Sequence, residues 1–364
     1  MNAYWLRILL RLERQQHQSI LGITLVEVIA ATVMATLVVA ATLSAIVNIA
    51  GASRDERVFT ETQTDLESAV DFIVEELKEA VFIYNGDELD RINVLGAGNQ
   101  PGIREVLGLE GNADLVPILV FWKSEFSDAP TAATCAGFAG AQAAECLELR
   151  EERRTFTFVA YLLDRNGSPL FPGQTRIRRF ELEKYINPLT LNRTPNYVDP
   201  LKESPAFAIW PYDRDGNVAD PVGGAALNLD IPGQINDDPM IDTTTPVLVD
   251  FIDDFDNPDI TDADLPICQG NDVAVGDADL DDIYNEQYND RYIRTPADPT
   301  VTSFFACVRD NLAIESGSQD TVLYLRGNPN GREGFRLNPN SPTPLPFVET
   351  QVVSRGTADK NFNN

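Results

Sequence analysis

The sequence predicts an α+β protein in which a long N-terminal helix packs on an antiparallel β-sheet head that carries a large loop-rich insertion. Residues Ile23 to Ala50 form a 28-residue apolar stretch in which Glu27 is the only charged residue. Apolar residues then recur at spacings of three and four, as on one face of a helix. Beyond residue 85, short apolar and β-branched runs alternate with Gly, Pro, Asn and Asp, which is typical of strands joined by turns.

The apolar stretch is long enough to cross a membrane. As a helix it extends about 42 Å, whereas the hydrocarbon core of a bilayer is roughly 30 Å thick. Three arginines precede it and the flank after it, "SRDER", is charge-balanced, so the positive-inside rule places the N-terminus in the cytoplasm. A secretory signal peptide has a shorter apolar core. A plain signal anchor leaves Glu27 unexplained, because a carboxylate within a membrane span is costly.

The second half of the predicted helix is amphipathic. Its apolar face comprises Leu66, Ala69, Val70, Ile73, Leu77, Ala80 and Val81. The turn signal "YNGD" follows at residues 84–87. We therefore expect one helix from Ile23 to about Ile83, interrupted at most near Gly51.

The predicted organisation has five parts. They are a basic leader (1–22), the transmembrane half of the helix (23–50), its amphipathic half (51–84), a β-rich head (85–356) with a Pro-, Gly- and Asp-rich elaboration at about 187–300, and a polar tail (357–364). Strands are expected at 116–122, 155–163, 175–185, 246–252, 301–308, 321–327 and 346–356. The dipeptide Asn166-Gly167 predicts a hairpin between the second and third of these strands.

The charge of the chain argues against nucleic-acid binding. It has 56 acidic and 28 basic residues and a formal net charge of −28, which repels phosphates. The single histidine, His17, lies in the leader, so neither a histidine-based catalytic site nor a histidine zinc site can form in the head. We expect no enzymatic activity. The alternative is a membrane-anchored glycan-binding or carboxylate-dependent glycan-hydrolysing protein, since paired carboxylates need no histidine.

The four cysteines indicate disulfides. Cys135, Cys146, Cys268 and Cys307 have no C-x-x-C spacing, and an even number beyond a membrane segment favours two bridges. Four cysteines allow three pairings, of which we favour Cys135–Cys146 and Cys268–Cys307. The other interpretation is four unpaired cysteines in the core.

Two features of the elaboration suggest ligands. The stretch "DRDGNVAD" offers oxygen donors suited to calcium at Asp213, Asp215, Asn217 and Asp220. It departs from an EF-hand loop, and such sequences also form plain turns. No other cofactor is indicated. Several aromatic residues, namely Trp210, Tyr212, Tyr284, Tyr288 and Tyr292, form either a sugar-binding face or anchors in the core.

The segment "GITLVE" at residues 22–27, after a basic leader, resembles the type IV prepilin motif. The resemblance implies that a membrane-embedded prepilin peptidase cuts after Gly22 and methylates the new N-terminus at Ile23. It also implies that Glu27 pairs with the N-terminal amine of a neighbouring subunit. The first mature residue is Ile where Phe or Met is commoner, and the leader is long for the family. The other interpretation of Glu27 is an interfacial side chain that extends toward the lipid headgroups.

The resemblance implies a structural pseudopilin or minor pilin in a type IV pilus-like or type II-like secretion or motility filament. Its partners are then the prepilin peptidase, other pilins or pseudopilins, the inner-membrane assembly platform with its ATPase, and membrane lipid. It is expected in the inner membrane as a single-pass protein with a periplasmic head, and later in a filament or at the cell surface. The segments "YLLDRNGSPLFPGQTRIRRFELEKY" and "LYLRGN" further resemble the hormogonium polysaccharide secretion pseudopilins of filamentous cyanobacteria.

Overall fold

The computed structural model shows a long N-terminal helix followed by antiparallel sheets. It describes residues 24–90, 102–201, 207, 210–212, 229, 231, 245–254, 268, 292–298, 300–309, 319–337 and 344–354. The helices are α1 (Leu25–Lys78), α2 (Gly86–Asp90), α3 (Ile103–Val106), α4 (Ala132–Cys135) and α5 (Ala141–Glu152). Short 3-10 turns occur at Pro188–Thr190 and Arg332–Gly334.

The strands pair in antiparallel fashion. They are β1 (Ala80–Ile83), β2 (Leu115–Phe126), β3 (Arg154–Asp164), β4 (Thr175–Leu182), β5 (Tyr185–Asn187), β6 (Asn192–Arg193), β7 (Val247–Ile252), β8 (Tyr292–Thr295), β9 (Phe304–Arg309), β10 (Asp320–Arg326) and β11 (Phe347–Val353). Within the described residues they form a five-stranded sheet in the order β1-β2-β3-β4-β7 and a four-stranded sheet in the order β11-β10-β9-β8. A two-stranded sheet, β5-β6, completes the set. The chain is therefore α+β, as predicted.

Two compact units make up the chain, Met1–Arg57 and Val58–Asn364. In the second unit, residues of α1 pack on one face of the five-stranded sheet and on the four-stranded sheet. We call this the helix-side core; its α1 members are Leu66, Ala69, Val70, Ile73 and Leu77. The opposite face of the five-stranded sheet packs on α2, α3 and the chain around Trp210, which we call the outer core.

Strand alternation in β2 distributes side chains between the two cores. Phe121 points into the helix-side core and Trp122 into the outer core, because successive side chains of a strand face opposite sides. Trp122 contacts the rings of Phe158 and Trp210 at centroid distances of 5.3 and 5.1 Å. The indole N–H of Trp122 donates to the hydroxyl of Tyr84 at 3.1 Å, so its polar atom is satisfied although the ring is buried.

The predicted helix is correct over most of its length but ends too late. The observed helix α1 passes through Gly51 without interruption and ends at Lys78 rather than near Ile83. Residues 80–83 instead form β1, which pairs with β2. All four side chains of β1 are buried, two in each core. The segment therefore lacks the alternation of apolar and polar residues by which a strand is distinguished from the end of a helix in a sequence.

The predicted strands are confirmed in β2, β3, β4, β7, β9, β10 and β11, and β3 and β4 pair as the expected hairpin. They lie in two larger sheets rather than one, because β7 joins β4 while β9 to β11 pair among themselves. The strand expected at 175–185 is shorter, since β4 ends at Leu182 and Tyr185 begins β5.

The structure contains both favoured disulfides. Cys135 bonds to Cys146 and Cys268 bonds to Cys307, with Cα–Cα distances of 5.6 and 5.4 Å. Cys135 is the last residue of α4 (Ala132–Cys135), and Cys146 lies in α5 (Ala141–Glu152). The Ala, Gln and Glu composition of α5 favours a helix, so the disulfide joins two short helices.

Candidate functional site: the N-terminal helix

The first turn of α1 contains Glu27. The backbone N–H of Glu27 donates to the side-chain oxygen of Thr24 at 3.3 Å and to the Thr24 carbonyl at 2.9 Å. Thr24 therefore acts as the N-cap of α1, and the sequence T-x-x-E is that of a capping box. An acid at this position also interacts favourably with the positive end of the helix dipole. Gly22 and Ile23, the predicted cleavage residues, lie outside the described residues.

Between Leu25 and Ile49, α1 presents apolar side chains around its circumference. The large apolar side chains are exposed, from 48% at Val28 to 76% at Leu25. Together they make α1 long and apolar enough to cross a membrane. Exposed apolar side chains over such a length are expected to contact lipid or other apolar helices rather than water.

Threonine hydroxyls within this apolar surface bond to their own helix. Thr32 donates to the carbonyls of Val28 and Ile29 at 3.0 and 2.9 Å. Thr36 likewise donates to Val33 at 2.8 Å. A hydroxyl that is satisfied within its helix needs no partner from its surroundings, which suits a hydrocarbon environment.

A charged cluster attaches the last turns of α1 to the five-stranded sheet. Glu76 Oε1 lies 2.7 Å from Arg179 Nη2 and 2.6 Å from Lys123 Nζ, while Glu76 Oε2 lies 3.0 Å from Arg179 Nε. The hydroxyl of Tyr161 also donates to Glu76. We call Glu76, Lys123, Tyr161, Arg179 and Glu181 the attachment cluster; Glu181 accepts from Arg179 Nη1 at 2.5 Å.

Contacts within the attachment cluster stabilise the ionised forms of Glu76 and Arg179. Burial works to raise the pKa of Glu76, but hydrogen bonds from Arg179, Lys123 and Tyr161 outweigh it and lower that pKa to about 2. Burial works to lower the pKa of Arg179, and the carboxylates of Glu76 and Glu181 raise it above its ordinary value. Glu76 therefore stays ionised over the physiological pH range.

A second contact lies nearer the start of the second unit. Arg332 Nη1 lies 2.7 Å from Asp65 Oδ2, so the 3-10 turn at Arg332–Gly334 is tied to α1. Beside it, Gly327 packs so closely on α1 that an added Cβ would lie 2.8 Å from Leu66 Cδ1 and 2.9 Å from Thr62 Cγ2. The glycine of "LYLRGN" thus permits close approach of the chain to the helix.

The structure does not describe the predicted calcium ligands. Asp213, Asp215, Asn217 and Asp220 all lie outside the described residues. Among the described residues, carboxylate oxygens of Glu125, Glu181 and Glu183 lie within 4.8 Å of one another. The ammonium of Lys123 contacts Glu125 and lies 3.5 Å from Glu181, so a protein cation already neutralises part of this group.

Of the aromatic residues considered as a sugar-binding face or core anchors, the structure describes Trp210, Tyr212 and Tyr292. Trp210 is buried in the outer core, and Tyr212 packs against that core. Tyr292 lies in β8, where its hydroxyl contacts Asp320. Tyr284 and Tyr288 lie outside the described residues. Trp210 is therefore a core anchor.

The attachment cluster was not predicted from the sequence. The alternation of side chains along the strands could have indicated it. Lys123 lies two residues after Phe121 in β2 and Arg179 two residues after Ile177 in β4, so both basic side chains lie on the sheet face that packs on α1. A basic residue at an inward-facing strand position requires an acid from the element packed on it. That acid is Glu76.

The chain matches no protein-family model, no curated protein and no solved structure.

Proposed function

We propose that this chain is a pilin-like structural subunit, a pseudopilin or minor pilin that is processed after Gly22 and assembles through α1. The observation that carries the proposal is the position of Glu27. It is the only charged residue from Ile23 to Ala50, it lies in the first turn of α1, and it is followed by an exposed apolar surface that extends to Ile49.

Cleavage after Gly22 explains how such a helix tolerates the acid. The cut creates an amine at Ile23, four residues before Glu27. In a filament the amine of one subunit pairs with Glu27 of its neighbour, and the pairing offsets the cost of a carboxylate in an apolar environment. Before assembly, Thr24 and the helix dipole orient the first turn.

The head is suited to a mechanical role. The attachment cluster and the Arg332–Asp65 ion pair fix residues 58–78 of α1 to the sheets. An assembly machine that moves α1 therefore moves the head as well. In this account the machine is an inner-membrane platform with its ATPase, the head is periplasmic, and the filament serves secretion, motility or polysaccharide export.

Site-specific photo-cross-linking tests the proposal. A photoreactive residue at Leu37, which is 65% exposed, is expected to cross-link to α1 of neighbouring pilin-like subunits in a host with the assembly machinery. The same residue at Phe126, 69% exposed on the head, is the matched control and should give few such products. If Leu37 yields lipid adducts alone, α1 is a plain membrane anchor.

A further inference from the structure

The connection between β3 and β4 contains an asparagine–glycine pair in an open backbone. Asn166 and Gly167 are both exposed, and a Cβ added at Gly167 would meet no atom within 4 Å. The pair follows the end of β3 at Asp164. Glycine permits backbone conformations that other residues avoid, so this turn can change its main-chain angles without displacing a packed neighbour.

We propose that Asn166 deamidates spontaneously in the folded head. The backbone nitrogen of Gly167 attacks Asn166 Cγ, and no side chain at Gly167 obstructs the attack. The Cγ–Nδ2 bond breaks, and the proton of the attacking nitrogen leaves with the amide group as ammonia. The product is a five-membered succinimide. Water then opens one of the two C–N bonds of the ring and gives an aspartyl or an isoaspartyl residue.

A second asparagine–glycine pair, Asn85-Gly86, lies in a packed backbone. Asn85 is 3% exposed, and its side-chain oxygen accepts from the backbone N–H of Glu88 at 3.0 Å, as in a helix N-cap. Gly86 begins α2, and a Cβ added there would lie 2.0 Å from the carbonyl oxygen of Arg294. Attack on Asn85 Cγ requires this backbone to leave its packed position, so the pair is protected.

In the third pair, Asn330-Gly331, the attacking nitrogen is already engaged. The backbone N–H of Gly331 donates to the carbonyl of Phe335 at 2.8 Å. The side-chain oxygen of Asn330 accepts from the backbone N–H of Leu337 at 3.3 Å. Ring closure must first break the hydrogen bond of the Gly331 nitrogen. The sequence contains three asparagine–glycine pairs, and the exposed pair in the β3–β4 connection is the one with room for the reaction.

Deamidation removes a hydrogen-bond donor from a buried carboxylate. Asn166 Nδ2 donates to Asp164 Oδ1 at 2.8 Å, and Asp164 is 0% exposed. Asp164 Oδ2 accepts from Arg178 Nε at 2.6 Å. A carboxylate at residue 166 replaces the donor by a like charge, which is unfavourable beside Asp164. We therefore expect the modification to loosen the β3–β4 hairpin. The proposal concerns the head and is independent of filament assembly.

Oxygen-18 labelling tests the proposal, because a succinimide that opens in labelled water gains one oxygen-18 atom. The full chain, folded in detergent with its disulfides intact, is incubated in oxygen-18 water at mildly alkaline pH and then digested in ordinary water for peptide mapping. We expect Asn166 to be labelled roughly tenfold faster than Asn85 and Asn330, the factor that corresponds to one hydrogen bond. In urea the three sites should be labelled at similar rates. Labelling of Asn166 no faster than the other two in the folded chain overturns the proposal.

Two variants test the route and its consequence. Gly167→Ala obstructs the attack but meets no neighbour, so labelling at Asn166 should fall several-fold while the urea midpoint is unchanged. Undiminished labelling contradicts attack by the Gly167 nitrogen. Asn166→Asp reproduces one product and should lower the urea midpoint. Asn192→Asp is the matched control, since it adds the same charge at an exposed asparagine of β6. Equal midpoints for these two variants contradict the expected loosening of the hairpin.

Discussion

Glu76 of α1 binds Arg179 of β4 through two parallel hydrogen bonds, 2.7 Å from Oε1 to Nη2 and 3.0 Å from Oε2 to Nε. This is the bidentate geometry in which arginine and carboxylate interact most strongly. Glu76 is buried and the Arg179 side chain is only 14% exposed, so the pair is largely shielded from water. It therefore fixes the register of α1 on the sheet as well as contributing to stability.

Replacing Glu76 with Gln is predicted to destabilise the head by about 3 kcal/mol, at the lower end of the range for breaking a buried ion pair. The lower end applies because Lys123 still contacts Glu125 and Arg179 still contacts Glu181. Urea unfolding of the full chain in detergent measures the change. The matched control is Glu75→Gln, which alters the neighbouring, exposed glutamate and should shift stability by less than about 1 kcal/mol.

The pH dependence of the same two proteins gives a separate check. The pKa of Glu76 is about 2 in the folded chain, against an ordinary value of 4.5. Its contribution to stability is therefore complete above about pH 4.5 and is lost as the pH falls toward 2. The stability difference between the wild type and Glu76→Gln should shrink through this window. A difference that is constant from pH 6 to about pH 2 would show that the charge of Glu76 is unimportant.

Gly327→Ala is predicted to destabilise the head by about 1–3 kcal/mol, as expected for overpacking. The added methyl group would lie 2.8 Å from Leu66 Cδ1 and 2.9 Å from Thr62 Cγ2, so α1 or β10 must shift. Gly167→Ala is the control, since an added Cβ there meets no atom within 4 Å. Thermal unfolding compares the two variants. Equal midpoints would mean that the contact of Gly327 with α1 is loose.

The two disulfides are predicted to contribute unequally. On the entropic model the Cys135–Cys146 bridge, with a sequence separation of 11, stabilises by about 3 kcal/mol. The Cys268–Cys307 bridge, with a separation of 39, stabilises by about 4 kcal/mol. Unfolding of the two Cys→Ser double variants measures the order. Non-reducing peptide mapping of the exported protein should recover both bridges, and a thiol that is labelled without reduction would contradict them.

Processing provides a further prediction. Protein purified from its native membrane should begin at Ile23, with or without N-methylation, by intact mass and N-terminal analysis. Gly22→Leu should block cleavage, because the prepilin peptidase that the resemblance implies requires a small residue there. Retention of Met1 in a host with an active prepilin peptidase would contradict the proposed family.

The sequence predicted those elements whose pattern is unambiguous. The apolar stretch of α1 and the β3–β4 hairpin are long and periodic, so their type follows from local sequence alone. The end of α1 could not be predicted, because Val81 continues the helical spacing, whereas the pairing of its neighbours Ala80 and Phe82 with β2 makes the segment a strand. The division of the strands into two larger sheets depends on contacts between residues that are distant in sequence, and local sequence patterns do not report such contacts.

Of the two functional regions of α1, only the one around Glu27 at its start was predicted from the sequence. Glu27 stands out as an acid in an apolar stretch, and the T-x-x-E pattern also contains the cap that Thr24 provides. Glu76 does not stand out, because it is one of several acids on an amphipathic helix and its burial depends on Lys123 and Arg179, which are 47 and 103 residues away in sequence.

Incorporation of Glu27→Ala subunits into filaments tests the central claim most directly. The variant should insert in the membrane and be cleaved after Gly22, but its subunits should lack the pairing with a neighbour's amine. Thr24→Val, which removes the helix cap without a change of charge, is the control. The measurement is the amount of processed subunit in sheared filaments relative to the membrane. The account predicts that Glu27→Ala is missing from the filaments, Glu27→Asp is reduced and Thr24→Val is present. Wild-type incorporation of Glu27→Ala would contradict it and leave Glu27 as a first-turn acid at the membrane interface.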